Sequence, residues 1–173
     1  FEARRAEVNA RRAFEDGVFD LTTGDKIGPS FAEGMKGVED AKDFERYLWA
    51  SHALEVYSKH KGEQNPGMSH GDAEAIVNRV KADKDKYATY SANQKTLKQY
   101  NNGLVDMLVK SGVMSDVEGA AIKQAYQTYI PLMRVKLKDK FAKGSGGPLE
   151  VNNPVKGRKG SGLPVDSPLE HML

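Results

Sequence analysis

The sequence predicts an all-α fold, a helical bundle of four to five helices followed by an extended C-terminal arm rich in Gly, Pro and Lys. Apolar residues recur three and four positions apart over several long segments, which is typical of packed helices. Clusters of Gly, Pro and Asn separate those segments and predict connections. Residues 144–173 hold 6 Gly and 4 Pro, which predicts an extended arm. We therefore expect a docking helix and loop over 1–37, a helical core over 38–143 and the arm over 144–173, continuing into a longer chain.

Composition excludes several classes of protein. The 173 residues include no cysteine and carry a formal net charge of +2. Without cysteine there is no disulfide scaffold. No stretch approaches the ~20 consecutive apolar residues that a transmembrane helix needs. The 6 Phe, 7 Tyr and 1 Trp are enough to seed a hydrophobic core, which argues against a wholly disordered chain.

The first half of the chain predicts two helices and a loop. Residues 2–16 contain many helix formers but only Val8 and Phe14 as larger apolar residues, so this helix should dock on another element. Residues 18–37 are rich in glycine and predict a loop with one helical turn near its end. Residues 39–61 are apolar on several sides, which is typical of a central helix.

Three more helices are predicted after the connection at 63–70. Asp72 is the expected cap of a helix that runs to about Lys84. Periodicity predicts one long helix over 85–111, although Asn101-Asn102-Gly103 within it is typical of a turn. A capping-box pattern opens a helix over 115–126, and Pro131 precedes a short amphipathic piece, Leu132 to Phe141.

Two constellations have the residue types of catalytic or metal sites. Ser69, His70 and Asp72 are too close in sequence to converge as a triad, and a helix cap is the better interpretation. His52 and Glu55 lie three residues apart on one helix, whereas a metal site needs three or four ligands, usually from two elements. We therefore predict no catalytic residue, no metal and no cofactor. An enzyme of unrecognised chemistry built around His52 and Glu55 is the third and weakest functional hypothesis.

Basic residues concentrate towards the C-terminus. From Arg134 to Leu173 there are eight basic and four acidic residues, a formal net charge of +4, while the preceding 133 residues carry −2. The candidate contacts to a partner or to phosphates are Lys136, Lys138, Lys140, Lys143, Lys156, Arg158 and Lys159. No aromatic residue follows Phe141, so base stacking is not predicted. The glycine-rich runs at 144–147 and 157–162 lack the spacing of a phosphate-binding loop.

Several segments, taken in order, resemble an all-helical module of the large polyvalent proteins of bacteriophages and mobile elements. These segments are Asp43–Leu48 with Ala53–Glu55, then Tyr100–Val109 with Ser111–Ser115, then Tyr126 with Tyr129–Arg134, and finally Pro154–Ser161 and Val165–Glu170. The resemblance spans about residues 40–170. It implies a non-enzymatic structural module of an internal virion or ejection protein, and it carries over no catalytic residues.

The resemblance also sets expectations for partners and location. The partners would be portal, tail or other ejection proteins, or copies of the same chain. The location would be the virion interior and then the host cell after ejection. The alternative is a nucleic-acid-binding module of an injected antirestriction or polymerase-like phage protein, which the +4 charge of the C-terminal residues favours.

Overall fold

A computed structural model describes residues 2–60, 64–125 and 127–128, with side chains from Val8 onwards. The predicted piece Leu132 to Phe141 and the predicted arm 144–173 lie outside the described residues. All seven basic residues proposed as partner or phosphate contacts lie there too.

The prediction of an all-α fold is confirmed. The helices are α1 (Glu2–Glu15), α2 (Phe31–Gly34), α3 (Ala41–His60), α4 (His70–Ala82), α5 (Lys84–Lys110) and α6 (Asp116–Ala125). Two short strands, β1 (Val18–Phe19) and β2 (Lys26–Gly28), pair antiparallel between α1 and α2. Within the described residues, five helices have ten or more residues and α2 is a single turn.

The β-hairpin corrects the loop that the sequence predicts over 18–37. Its strands are too short to produce a visible alternating pattern. Side-chain hydrogen bonding forms the turn, where Asp20 Oδ1 accepts from the Thr22 backbone N–H at 2.8 Å and Gly24 adopts a φ of +79°. Tertiary packing holds the hairpin in place, since Val18 is completely buried.

The long helix α5 runs through Asn101-Asn102-Gly103 without a break, as periodicity predicts. Gly103 is needed for a close approach. A Cβ there would lie 3.2 Å from the Gly28 Cα and 3.2 Å from the Val18 Cβ. The glycine at 103 therefore allows the hairpin to pack directly against α5. Its presence in the sequence is explained by this contact and does not indicate a turn.

One hydrophobic core joins both halves of the described chain. Its largest fully buried side chains include Phe44 and Leu48 of α3, Val80 of α4 and Leu97 of α5. α3 buries residues on several sides, as expected. α5, however, contacts α2, α3, α4, α6 and both strands, so the longest helix is the common neighbour.

The N-terminal helix docks on this core, as its thin apolar stripe predicts. Ala13 is buried, and the Phe14 ring stacks on Phe31 with 5.4 Å between centroids. Phe31 in turn meets Tyr100 of α5 edge-on at 5.9 Å. Residues from the predicted unit 1–37 and from the predicted core 38–143 thus share one apolar cluster.

Helix starts follow local side-chain chemistry. The capping box of α6 is confirmed, because Ser115 and Glu118 each bond the other's backbone N–H. The predicted cap of α4 is wrong by three residues. Ser69 is the N-cap, and its hydroxyl accepts from the Asp72 backbone N–H at 3.1 Å. The interpretation of Ser69 to Asp72 as a helix entry is confirmed.

Candidate functional site

The candidate site is a cluster of side chains that binds the residues following α6 to α3. We call it the anchor, and it consists of His52, Glu55, Lys59, Lys98 and Thr128. The first three lie at positions i, i+3 and i+7 on α3, which places them on one helix face. Lys98 comes from α5. The anchor therefore joins α3 and α5 to the last described residues.

The Glu55 carboxylate is the centre of the anchor. Its Oε1 accepts from the Gln127 backbone N–H at 2.8 Å and from Lys59 Nζ at 2.8 Å. Its Oε2 accepts from the Thr128 backbone N–H at 2.8 Å and also from the Thr128 hydroxyl. Four donors thus converge on one carboxylate whose side chain is only 14 % exposed. Hydrogen bonds to an ionised acceptor are stronger than neutral ones, so this contact holds the chain firmly.

The electrostatics of Glu55 follow from these contacts. Burial raises the pKa of Glu55, but the hydrogen bonds from Lys59, Thr128 and Gln127 outweigh burial and lower it to about 2. The carboxylate is therefore ionised at neutral pH and serves as a hydrogen-bond acceptor throughout the physiological range.

Two lysines bind the C-terminal end of α6. Lys59 Nζ donates to the Ala125 carbonyl at 2.7 Å, and Lys98 Nζ donates to the Lys123 carbonyl at 3.0 Å. The last carbonyls of a helix have no partner within the helix and carry the negative end of its dipole. The Lys59 and Lys98 ammonium groups supply both hydrogen-bond donors and positive charge, so they hold the C-terminal end of α6 against α3 and α5.

His52 lies beneath this contact and is only 6 % exposed. Burial lowers the pKa of His52 to about 4, against which the nearby Glu55 charge and a hydrogen bond to the Thr128 backbone act in the opposite direction. The imidazole is therefore neutral at pH 7. His52 and Glu55 are both engaged with Thr128, which gives them a positioning role towards the chain itself.

The structure places both residues of the enzyme hypothesis, His52 and Glu55, against Thr128 of the same chain. Both carboxylate oxygens of Glu55 are engaged by groups of this chain. Within the part of the chain that the structure describes, no three His, Asp or Glu side chains are grouped closely enough to hold a metal ion. The His70 ring packs against Tyr57, and its Nδ1 lies 3.5 Å from Glu74. His70 is thus part of the exposed first turn of α4.

A second charged cluster, which the sequence analysis missed, joins the start of α3 to α4 and α5. Asp43 pairs with Arg79, lies 3.3 Å from Lys86 Nζ and accepts from the Tyr90 hydroxyl at 3.3 Å. Burial, followed by the Asp43 charge, raises the pKa of Tyr90 to about 12. Sequence carries no signal for this cluster, because the three partners of Asp43 lie 36 to 47 residues beyond it.

The sequence analysis singled out two of the five anchor residues as a candidate site. It singled out His52 and Glu55, because a histidine and a carboxylate on one helix face are common in metal sites. It missed Thr128 and Lys98. The one local signal at this end of α6 is the helix C-terminus itself, because the last carbonyls of a helix often accept hydrogen bonds from Lys, Arg or His.

Comparisons with known proteins return no match: no protein-family model, curated protein or solved structure matches this chain. None of the described helices is long and apolar enough to span a bilayer.

Proposed function

We propose that this chain is a non-enzymatic structural module of a large phage internal virion or ejection protein. In this proposal the helical body, which comprises α1 to α6, holds the C-terminal residues in position, and these contact a neighbouring virion protein or another copy of the chain. The module is carried in the virion and enters the host with the genome. The anchor is the observation that carries the mounting role, and the phage context rests on the order of sequence segments described above.

The anchor supports a mounting role because of what it holds. Glu55, Lys59 and Lys98 use their charges on backbone groups of residues 123–128, the last part of the described chain. The segment that follows contains all the candidate partner contacts, from Lys136 to Lys159. Because Thr128 is bound to Glu55, the segment that follows starts from a fixed position on the helical body.

The test is limited proteolysis with mass spectrometry on the isolated chain and on purified virions that contain the parent protein. Trypsin cleavage after Lys156, Arg158 and Lys159 reports on the predicted arm. We expect cleavage there in the isolated chain and protection in the particle. Cleavage after the exposed Lys84, at the start of α5, is the internal comparison for general access. Equal cleavage of the arm in both samples, or absence of the chain from virions, contradicts the proposal.

Nucleic-acid binding is the second candidate function, and the +4 charge from Arg134 onwards favours it. It predicts that the full chain binds duplex DNA with an affinity that falls steeply with salt. A triple variant, Lys156→Gln with Arg158→Gln and Lys159→Gln, should weaken binding and reduce the salt slope by roughly 0.9 for each lost phosphate contact.

The matched control removes three exposed lysines from the described helices, Lys81→Gln with Lys84→Gln and Lys95→Gln. It changes the net charge equally and should leave binding nearly unchanged. Equal effects of both triple variants, or binding that does not depend on salt, rule out a specific role for the arm in DNA contact.

A further inference from the structure

Helix α6 has an inner face that packs closely and an outer face that does not. On the inner face Gly119 is buried, and a Cβ there would lie 2.6 Å from Val109 Cγ2 and 3.4 Å from Val105 Cγ1 of α5. The opposite side, which we call the outer α6 face, consists of Val117, Ala120, Ala121 and Gln124. These residues follow the spacing i, i+3, i+4 and i+7, so they form one stripe.

The outer α6 face is unusual for an exposed surface because it carries no charge. All four of its residues are exposed, and Val117 is 80 % exposed. Val113, just before the helix, is 74 % exposed. The solvent side of a surface helix normally holds charged residues. Here the charged residues of α6 lie elsewhere, with Lys123 bound to Asp106 of α5 at 2.5 Å.

The next stretch of the same chain has the chemistry to cover this face. Leu132 to Phe141 interleaves five apolar residues with four basic ones and Asp139, the apolar members being Leu132, Met133, Val135, Leu137 and Phe141. It has ten residues, as many as α6. Ten residues reach about 15 Å as a helix and about 33 Å when extended, so either form spans the outer α6 face.

The anchor determines where this stretch begins. Gln127 and Thr128 are held on Glu55 at the C-terminal end of α6, and only three residues separate Thr128 from Leu132. A segment that runs back along α6 from there brings Lys138 and Lys140 towards the first turn of the helix. That turn carries Asp116 and Glu118, so the charges are complementary.

We propose that the outer α6 face binds Leu132–Phe141 of the same chain, running antiparallel to α6 with its apolar residues on Val117 and Ala121. Tethering by a short connection gives the segment an effective concentration in the millimolar range. The segment therefore outcompetes a second copy of the chain or a free partner at ordinary concentrations. This inference does not depend on the phage function proposed above.

The direct test uses the absence of natural cysteine. The full chain carrying Ala121→Cys and Leu137→Cys is oxidised, and the products are identified by mass spectrometry. The control pair is Ala75→Cys with Leu137→Cys, since Ala75 is also an exposed helical alanine but lies on α4. We expect an intramolecular disulfide at least about tenfold faster in the test pair than in the control pair.

Hydrogen exchange provides a second measurement without cysteines. In the full chain the amides of 132–141 should be protected. Ala121→Lys should speed their exchange about tenfold by placing a buried charge of the same sign as the segment in the contact. Ala75→Lys should leave it unchanged. Equal disulfide rates in the two cysteine pairs, or exchange that Ala121→Lys does not alter, overturns the proposal. A cross-link that is intermolecular and rises with protein concentration overturns it in favour of a second copy as occupant.

Discussion

Glu55 concentrates more hydrogen bonds than any other carboxylate described, and its ionised form is the one that fits. Lys59, Gln127 and Thr128 all donate to it. Removing the charge while keeping the shape leaves two backbone N–H groups facing a weaker acceptor. At the scale of single residues, Glu55 is therefore the side chain whose ionisation the last described residues depend on.

Glu55→Gln should lower the free energy of unfolding by about 1–3 kcal/mol at pH 7. The pKa of Glu55 is depressed from 4.5 to about 2 in the folded chain. Its stabilising effect is therefore present above pH 4.5 and lost as the pH falls towards 2. Urea unfolding at pH 7 and pH 3 measures the difference between wild type and variant, which should shrink at pH 3. The exposed Glu39→Gln is the control, and an equal loss in both variants contradicts this role for Glu55.

His52 gives a pH dependence of the same sign over a higher pH range. Because burial lowers the pKa of His52 from 6.5 to about 4, the unfolded chain binds its proton more readily than the folded chain. Stability should decline as the pH falls from about 6.5 to 4, by on the order of 3 kcal/mol for this group. Side-chain NMR titration should show His52 titrating near pH 4. A titration of His52 near 6.5 would refute this expectation.

At the scale of elements, glycine decides how closely α5 approaches its neighbours. Gly103 meets the hairpin at Gly28 and Val18, and Gly119 of α6 meets Val109. Local chemistry at Asn101-Asn102-Gly103 suggests a turn, whereas the hydrophobic period predicts a helix. The helix forms because it buries Leu97 and Tyr100 on one side and accepts the hairpin on the other.

Gly103→Ala should destabilise the protein by about 1–3 kcal/mol, through overpacking against the hairpin. In an open helix the same change is stabilising, by up to about 1 kcal/mol. Gly71→Ala in α4 is the matched control, since nothing lies within 4 Å of a Cβ at that position. Thermal unfolding of both variants should give shifts of opposite sign. Shifts of the same sign would show that the approach at Gly103 is not tight.

At the scale of the whole molecule, one core connects the N-terminal helix to α5. Phe31 links the two parts, stacking on Phe14 of α1 and meeting Tyr100 of α5. The cluster that contains Phe31 also contains Phe44 and Leu97. We therefore expect the described helices to unfold together.

Phe31→Ala should lower the free energy of unfolding by about 3–5 kcal/mol, because it opens a cavity between α1 and α5. The single Trp49, whose indole N–H donates to the Pro66 carbonyl at 2.9 Å, reports on α3 by fluorescence. Far-ultraviolet circular dichroism reports on all helices. The two signals should change at the same urea concentration in both proteins. An early circular dichroism change with unaltered Trp49 fluorescence would show that residues 1–37 unfold separately.

The sequence by itself determined the helical class, most helix bounds and the capping box of α6, because hydrophobic period and capping are local properties. It also pointed to His52 and Glu55 as unusual residues on one helix face. Only the tertiary structure decided what they do, since their partner Thr128 lies 73 residues beyond Glu55. The same holds for the hairpin and for the Asp43 cluster. Those features depend on which distant groups the packed core brings together, and no local pattern encodes that choice.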